Sequence, residues 1–141
     1  MTVRAVRNSN PGNINSGAPW LGLQPRERMT PEQAAEKRFA VFSKPMYGFR
    51  ALAVTLRNYG RMHGLDTARG IISRWAPDSE NNTASYVVAV SKAIGVGPED
   101  KLDLTDMATM RQLCKAISIH ECGGWMFDDA DLDAGVTAAL A

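Results

Sequence analysis

The sequence predicts an α+β domain, mostly α, with a small β element near the N-terminus. Three observations lead to this reading. Apolar residues at three- and four-residue spacing, bounded by caps and stops, recur through residues 43–140. The stretch RNSNPGNINSGAPW, by contrast, holds four Asn, two Pro and two Gly, residues that supply turn conformations rather than regular structure. Between these regions, Arg38-Phe39-Ala40-Val41-Phe42 carries the aromatic and β-branched character of a short strand.

Taken in order, Thr30-Pro31-Glu32-Gln33 has the form of a helix start, with Pro at the first position and Gln three after Thr, so a short helix is expected over about 31–37. The strand at 38–42 is expected to form a small hairpin with residues 13–15 or 20–23. The clearest helix spans Ser43 to Gly64, with Ser43 as cap and Phe49, Leu52, Ala53, Leu56 and Tyr59 along one face. A second runs from Thr67 to Trp75, capped by Asp66 or Thr67 and ended by the following Ala76-Pro77. A third starts at Asn82 or Thr83, buries Tyr86, Val87, Val90 and Ile94, and stops at Gly95. A fourth opens within Asp103–Asp106 and ends at Gly123, and a last short helix is expected from about Leu132 to Leu140. No repeat or linker divides the chain, so residues 1–141 are read as a single domain.

Composition narrows the function classes. Of the 141 residues, 45% are hydrophobic and 22% charged, as in a soluble globular domain, and the net charge of +1 argues against a polybasic nucleic-acid binder. Arg4, Arg7, Arg26, Arg28, Lys37, Arg38 and Lys44 nevertheless crowd the first third, while Asp128, Asp129, Asp131 and Asp133 crowd the end; that asymmetry suits either a solvated surface or adhesion to an anionic polymer. No apolar run approaches the ~20 residues that span a bilayer, so no membrane insertion is expected, and no signal sequence is read at the N-terminus. Cys114 and Cys122 stand eight residues apart on one helix. That spacing is a rise of about 12 Å, too far for a disulfide. Metal-ligand spacing is absent, and no metal or cofactor is expected.

The residue that carries chemistry is Glu121. Met110, Leu113, Cys114 and Ile117 form the apolar stripe of the fourth helix, and the next member of that series is a glutamate. Desolvation on a core-facing stripe and the partial negative charge of a helix C-terminus both disfavour the anion there, the setting a general acid requires. Gly123-Gly124 lets a ligand approach, and Trp125 offers a flat apolar surface for a sugar ring, with the adjacent His120 as a further substrate contact. A second constellation, RWAPDSENNTASYVVAV (74–90), places Trp75, Asp78, Glu80, Asn81, Asn82 and Tyr86 around a helix start. It reads either as a turn and cap with Tyr86 in the core, or as a polar ledge in which Tyr86 or Glu80 is a second catalytic or binding group.

Three motifs together resemble a phage family of virion-associated, endolysin-like proteins: RNSNPGNI (7–14), the block from FAVFSKPMYGFRAL (39–52) through IISRWAPDSENNTASYVVAV (71–90), and AISIHECGGW (116–125). That family in turn resembles a lysozyme-superfamily glucosaminidase or lytic transglycosylase domain with its catalytic helix permuted to the end. The resemblance implies a lysozyme-like fold and a peptidoglycan-degrading glycosidase that cleaves the β-1,4 bond between N-acetylmuramic acid and N-acetylglucosamine. It places Glu121 as catalytic acid, Tyr86 on the accompanying tyrosine helix, and Asn10, Asn13 and Ile14 in the loop that shapes the groove. Cys122 departs from the usual Ser or Asn beside the glutamate. Substrate-binding residues expected from both lines are Asn10, Asn13, Trp75, Asn81, His120 and Trp125, with Glu80 or Asp78 as the second acid a hydrolase needs. The implied setting is the virion or the host periplasm and cell wall, with peptidoglycan and other virion proteins as partners and a monomeric state. The competing expectation is a noncatalytic virion component that grips cell wall or another phage protein through Trp20, Trp75 and Trp125.

Overall fold

The computed structural model describes residues 3–79 and 81–141. Its helices are α1 (Arg4–Arg7), α2 (Pro31–Ala34), α3 (Pro45–His63), α4 (Ala68–Trp75), α5 (Thr83–Ile94), α6 (Met107–Cys122) and α7 (Asp129–Leu140), with a 3-10 turn at Arg26–Arg28. The caps follow the sequence chemistry at most starts. The Thr30 and Gln33 side chains form a reciprocal capping box on α2, and the side chains of Thr67, Asn82, Asp106 and Asp128 each accept a backbone N–H at the start of α4, α5, α6 and α7. The exceptions are α1, whose cap position is Val3, and α3, where Lys44 rather than Ser43 occupies the cap position; no side chain closes either. Pro45 at the first position lacks an N–H and reduces the need for one.

Helix α3 is the centre of the core. Phe49, Leu52, Ala53 and Leu56 are fully buried, and around them gather Ile71 and Ile72 of α4, Tyr86 and Val90 of α5, Leu113 and Ile117 of α6, and Leu132 and Val136 of α7. α3 and α7 approach so closely that a Cβ on Gly135 would lie 2.6 Å from both the Met46 carbonyl oxygen and Phe49 Cβ. Only a residue without a side chain permits that backbone contact.

The expected α+β, lysozyme-like architecture does not form: the fold is all-α. The strand at 38–42 and its hairpin are replaced by two isolated bridges, Asn15 with Phe39 and Leu23 with Phe42. The reason lies in how the backbone of this segment is satisfied. The Arg38 and Phe39 amides donate to the Glu36 carboxylate, the Ala40 carbonyl accepts from the Asn10 side chain, and the Phe42 amide donates to the Asn8 carbonyl. Two flanking segments divide the remaining groups: the Ala40 amide and Arg38 carbonyl bond to Ile14 and Ser16, and the Val41 carbonyl and Ser43 amide bond to Gln24 and Gly22, so neither pairing extends into a ladder. α2 is also shorter than the expected 31–37, and α7 begins three residues before Leu132.

Glu36 organises this N-terminal region. Its side chain is 1% exposed and pairs with Arg4 and Arg7, each at 2.6 Å, while Asn8 Nδ2 donates to it at 2.9 Å. Two of the basic residues that suggested a cationic patch are therefore committed internally. The Arg4 guanidinium foremost, then the Phe39, Asn8 and Arg38 donors, hold the Glu36 carboxyl well below the usual carboxylate range, against the desolvation that opposes them.

Two stability tests follow from this packing. Because the Glu36 pKa is depressed on folding, its contribution is complete above the unfolded value of about 4.3 and is lost as pH falls toward the folded value. Urea unfolding should thus show Glu36→Gln weakened by about 3 kcal/mol at pH 7, with a smaller further loss than wild type between pH 5 and pH 2. Gly135→Ala should lower stability by about 2 kcal/mol through overpacking of α3 against α7, read as a drop in the midpoint of thermal unfolding.

Candidate functional site

Glu121 lies in the last turn of α6, next to Gly123, which ends the helix with φ 77°. Met110, Leu113, Cys114 and Ile117 are all buried completely, and Glu121, next on that stripe, is half-buried where the stripe reaches a cavity. Two separate segments meet its carboxyl group. Tyr86 of α5 donates its hydroxyl to Oε2 at 2.8 Å, and Asn13 of the N-terminal loop donates its amide to Oε1 at 3.1 Å. One bond to each oxygen sets the plane of the carboxyl.

Tyr86 is 1% exposed and reaches Glu121 from within the core. Burial, and then the negative charge and hydrogen bond of Glu121, push its phenol far above its ordinary value, while contact with Trp75 pulls the other way. The phenol is thus a fixed neutral donor. On its other side the ring stacks with His120, centroids 3.7 Å apart and planes 25° from parallel. Asn13 adopts φ 50°, a left-handed conformation that asparagine tolerates better than most residues, and this turn directs its amide to Glu121.

The cavity has a volume of about 530 Å³, within the range of small-ligand sites. The Gly12–Ser16 loop, Ala18 and Trp20 form one side, and Thr55 and Tyr59 of α3, Arg74 and Trp75 of α4, and Asn81 complete it with Glu121. Gly12 packs closely on what lies beneath it: a Cβ there would sit 3.1 Å from Leu52 Cδ1 and 3.3 Å from Trp75 Cζ2, and those side chains would have to yield by a few tenths of an ångström. Two buried polar atoms near the site, Asn13 Oδ1 and Trp20 Nε1, have no hydrogen-bond partner among the described residues.

Of the residues singled out in the sequence, Glu121, Asn13, Trp75 and Asn81 line this cavity, and Tyr86 supports it from behind. His120 is exposed and touches the site only through Tyr86. Two others are placed elsewhere. Asn10 is completely buried, and its side chain bonds to Ile14 N, Ile14 O and Ala40 O, so it shapes the loop and has nothing left for a ligand. Trp125 packs against Phe49 and Phe127 and under Lys115, away from the cavity. Asp78 is exposed and does not line it, and Glu80 falls outside the described residues. Asn82 serves as the α5 cap, the plainer of the two readings of its segment. Arg38, Tyr59, Arg74 and Thr55 line the cavity without having been assigned a site role from sequence. Arg74 was within reach, since it begins the RWAP run.

Among the described residues, no group of three or more His, Cys, Asp or Glu side chains gathers where a metal could bind, and no helix is long and apolar enough to cross a membrane. Cys114 and Cys122 are buried free thiols, both pushed up by burial.

No family model matches the chain. It is similar to Protein P5 of Pseudoalteromonas phage PM2, with 38% identity over 105 residues. The match covers 72% of this chain and 61% of the phage protein, so the chain spans about three fifths of its relative's length. This chain has a bacteriophage relative. The same comparison corrects the resemblance drawn from the motifs: the similarity found is to Protein P5, and nothing found ties the chain to the lysozyme superfamily or to an endolysin family.

Tyr86→Phe tests the local geometry directly. It keeps the ring and the His120 stack but removes a donor to a half-buried carboxyl. A loss of about 1–2 kcal/mol in chemical denaturation is expected, with the helical circular dichroism unchanged.

Proposed function

We propose that this chain is a bacteriophage virion component that engages bacterial peptidoglycan through the Glu121 cavity. The relationship to a phage protein supports the virion setting and by itself asks only for a protein that grips the cell wall or a neighbouring virion protein. The cavity supports the glycan: aromatic side chains (Trp20, Tyr59 and Trp75) stand beside amides and hydroxyls, the mixture that stacks on sugar faces and bonds their edges.

One observation favours cleavage in addition to binding, namely the orientation of Glu121 by Tyr86 and Asn13 at the cavity wall. A merely adhesive groove has no need of a carboxyl held through both oxygens. In the catalytic reading, Glu121 protonates the glycosidic oxygen of the β-1,4 bond. Glu121 is also the only carboxylate among the described lining residues, which favours the transglycosylase route. There, the carboxylate left after the first step takes the proton of the muramic acid C6 hydroxyl as its oxygen closes on C1, forming the 1,6-anhydro product. Glu80, beside the cavity residue Asn81 in sequence, is the candidate second acid for a hydrolytic route.

The test is digestion of purified peptidoglycan with mass spectrometry of the released muropeptides. Anhydro ends indicate the transglycosylase and reducing ends the hydrolase. Glu121→Gln should fold normally and lose at least about a hundredfold in rate. Sedimentation with cell walls but no release of muropeptides by the wild type would leave the gripping role and remove the catalytic one.

A further inference from the structure

We infer that Asn13 and Trp20 bind the acetamido group of an N-acetylated sugar, so that the cavity takes an acetamido-bearing glycan in preference to one with a hydroxyl in its place. The inference rests on the glycan-binding reading of the cavity and adds the substituent by which the ligand is recognised. Among the described residues, three buried side-chain polar atoms have no hydrogen-bond partner: Asn13 Oδ1, Trp20 Nε1 and Ser91 Oγ. The first two belong to residues that line the Glu121 cavity. Folded proteins leave few such groups unpaired, because each loses its hydration without return, and two of them at one cavity ask for a ligand that completes them.

The two atoms are of opposite kind. An indole Nε1 only donates and an amide Oδ1 only accepts, so the missing partner must offer an acceptor and a donor. The Asn13 amide is held in this sense by its Nδ2, which donates to Glu121 Oε1 at 3.1 Å. An acetamido group carries its two functions on separate atoms, a carbonyl for Trp20 and an N–H for Asn13, and so can meet both residues at once. A hydroxyl has to serve both through one oxygen. The acetamido methyl also needs apolar surface, which Ile14, Ala18 and Ala76 add to the same lining. Because Asn13 is bonded to Glu121, a sugar held in this way lies beside that carboxyl. Both polar atoms are closed to solvent. The stretch between the two residues, Ser16 to Pro19, is exposed and yields as the sugar enters; Gly17 within it stands at φ 118°, with nothing within 4 Å of a Cβ built on it.

The test compares chitotetraose with cellotetraose, neutral oligomers of equal length that differ in carrying acetamido or hydroxyl groups. Affinities are measured by calorimetry, and the indole N–H resonances are followed by NMR. Chitotetraose should bind about tenfold more tightly and shift the Trp20 indole signal, which is assigned by its loss in Trp20→Phe. That variant removes the donor together with part of the ring. Lost stacking lowers both affinities alike, whereas the lost donor lowers only that for chitotetraose, so the ratio of the two should fall close to one. Equal affinities in the wild type would overturn the inference, as would an unmoved Trp20 signal. So would a ratio in Trp20→Phe that stays at the wild-type value, since the N–H would then serve a structural water. Binding of purified peptidoglycan but of neither oligomer also overturns it, because another group would then be what the cavity reads. Failure to bind either oligomer or purified peptidoglycan overturns the glycan reading itself.

Discussion

The side chain of Asn10 is the constraint on which the site depends. It is shut off from solvent and makes three backbone hydrogen bonds, to both the amide and the carbonyl of Ile14 and to the carbonyl of Ala40. A buried amide with its main capacity filled by backbone acts as an internal cross-link. It closes the loop from Asn10 to Ile14 on itself and ties it to the segment leading into α3. Within that closed loop Asn13 is held in its left-handed turn, its amide directed at Glu121. Gly48 completes the fit, since a Cβ there would lie 2.5 Å from both Pro11 Cδ and the Ser9 carbonyl oxygen. The loop sits on α3 because the helix offers it bare backbone.

The cavity is consequently a junction of parts remote in sequence. The helical layers of α3, α5 and α6 supply a rigid wall carrying Tyr86 and Glu121, and the irregular N-terminal region supplies the facing side. Rigid elements fix the reactive group, while the loop and the α4–α5 connection add the polar and aromatic contacts. Gripping a glycan and cleaving it make different demands on this arrangement. The first uses the breadth of the cavity, and the second uses the fixed orientation of one carboxyl. The Protein P5 relationship bears on the setting in a phage and leaves both uses as proposals.

The long helices were legible because their determinants are local. The α6 stripe leads from Met110 through Ile117 to Glu121, and Asp106 and Gly123 mark its limits. The same logic located α4 and α5. It failed at 38–42, where Phe, Val and Phe suggested a strand: strand formation depends on a partner of matching length, and this segment pairs first with residues 14–16 and then with 22–24, each through a single bridge. It also overvalued Asn10 and Trp125. Asparagine and tryptophan read as ligand contacts in isolation, yet Asn10 is consumed by backbone, and Trp125 completes an aromatic cluster with Phe49 and Phe127. Neither outcome has a local signal, because the partners lie far away along the chain.

By itself, the sequence determined that a carboxylate ends a buried helical stripe and that a turn-rich segment precedes a helical body. Both are consequences of periodicity and backbone preference within a few residues. Only the tertiary structure decided that Asn13, Tyr86 and Glu121 converge, that Arg74 stands over Tyr59 at the cavity wall, and that no sheet forms among the described residues. Those outcomes depend on which distant hydrogen-bonding groups reach one another once the core has closed. That competition is settled by packing, which no short window of residues contains.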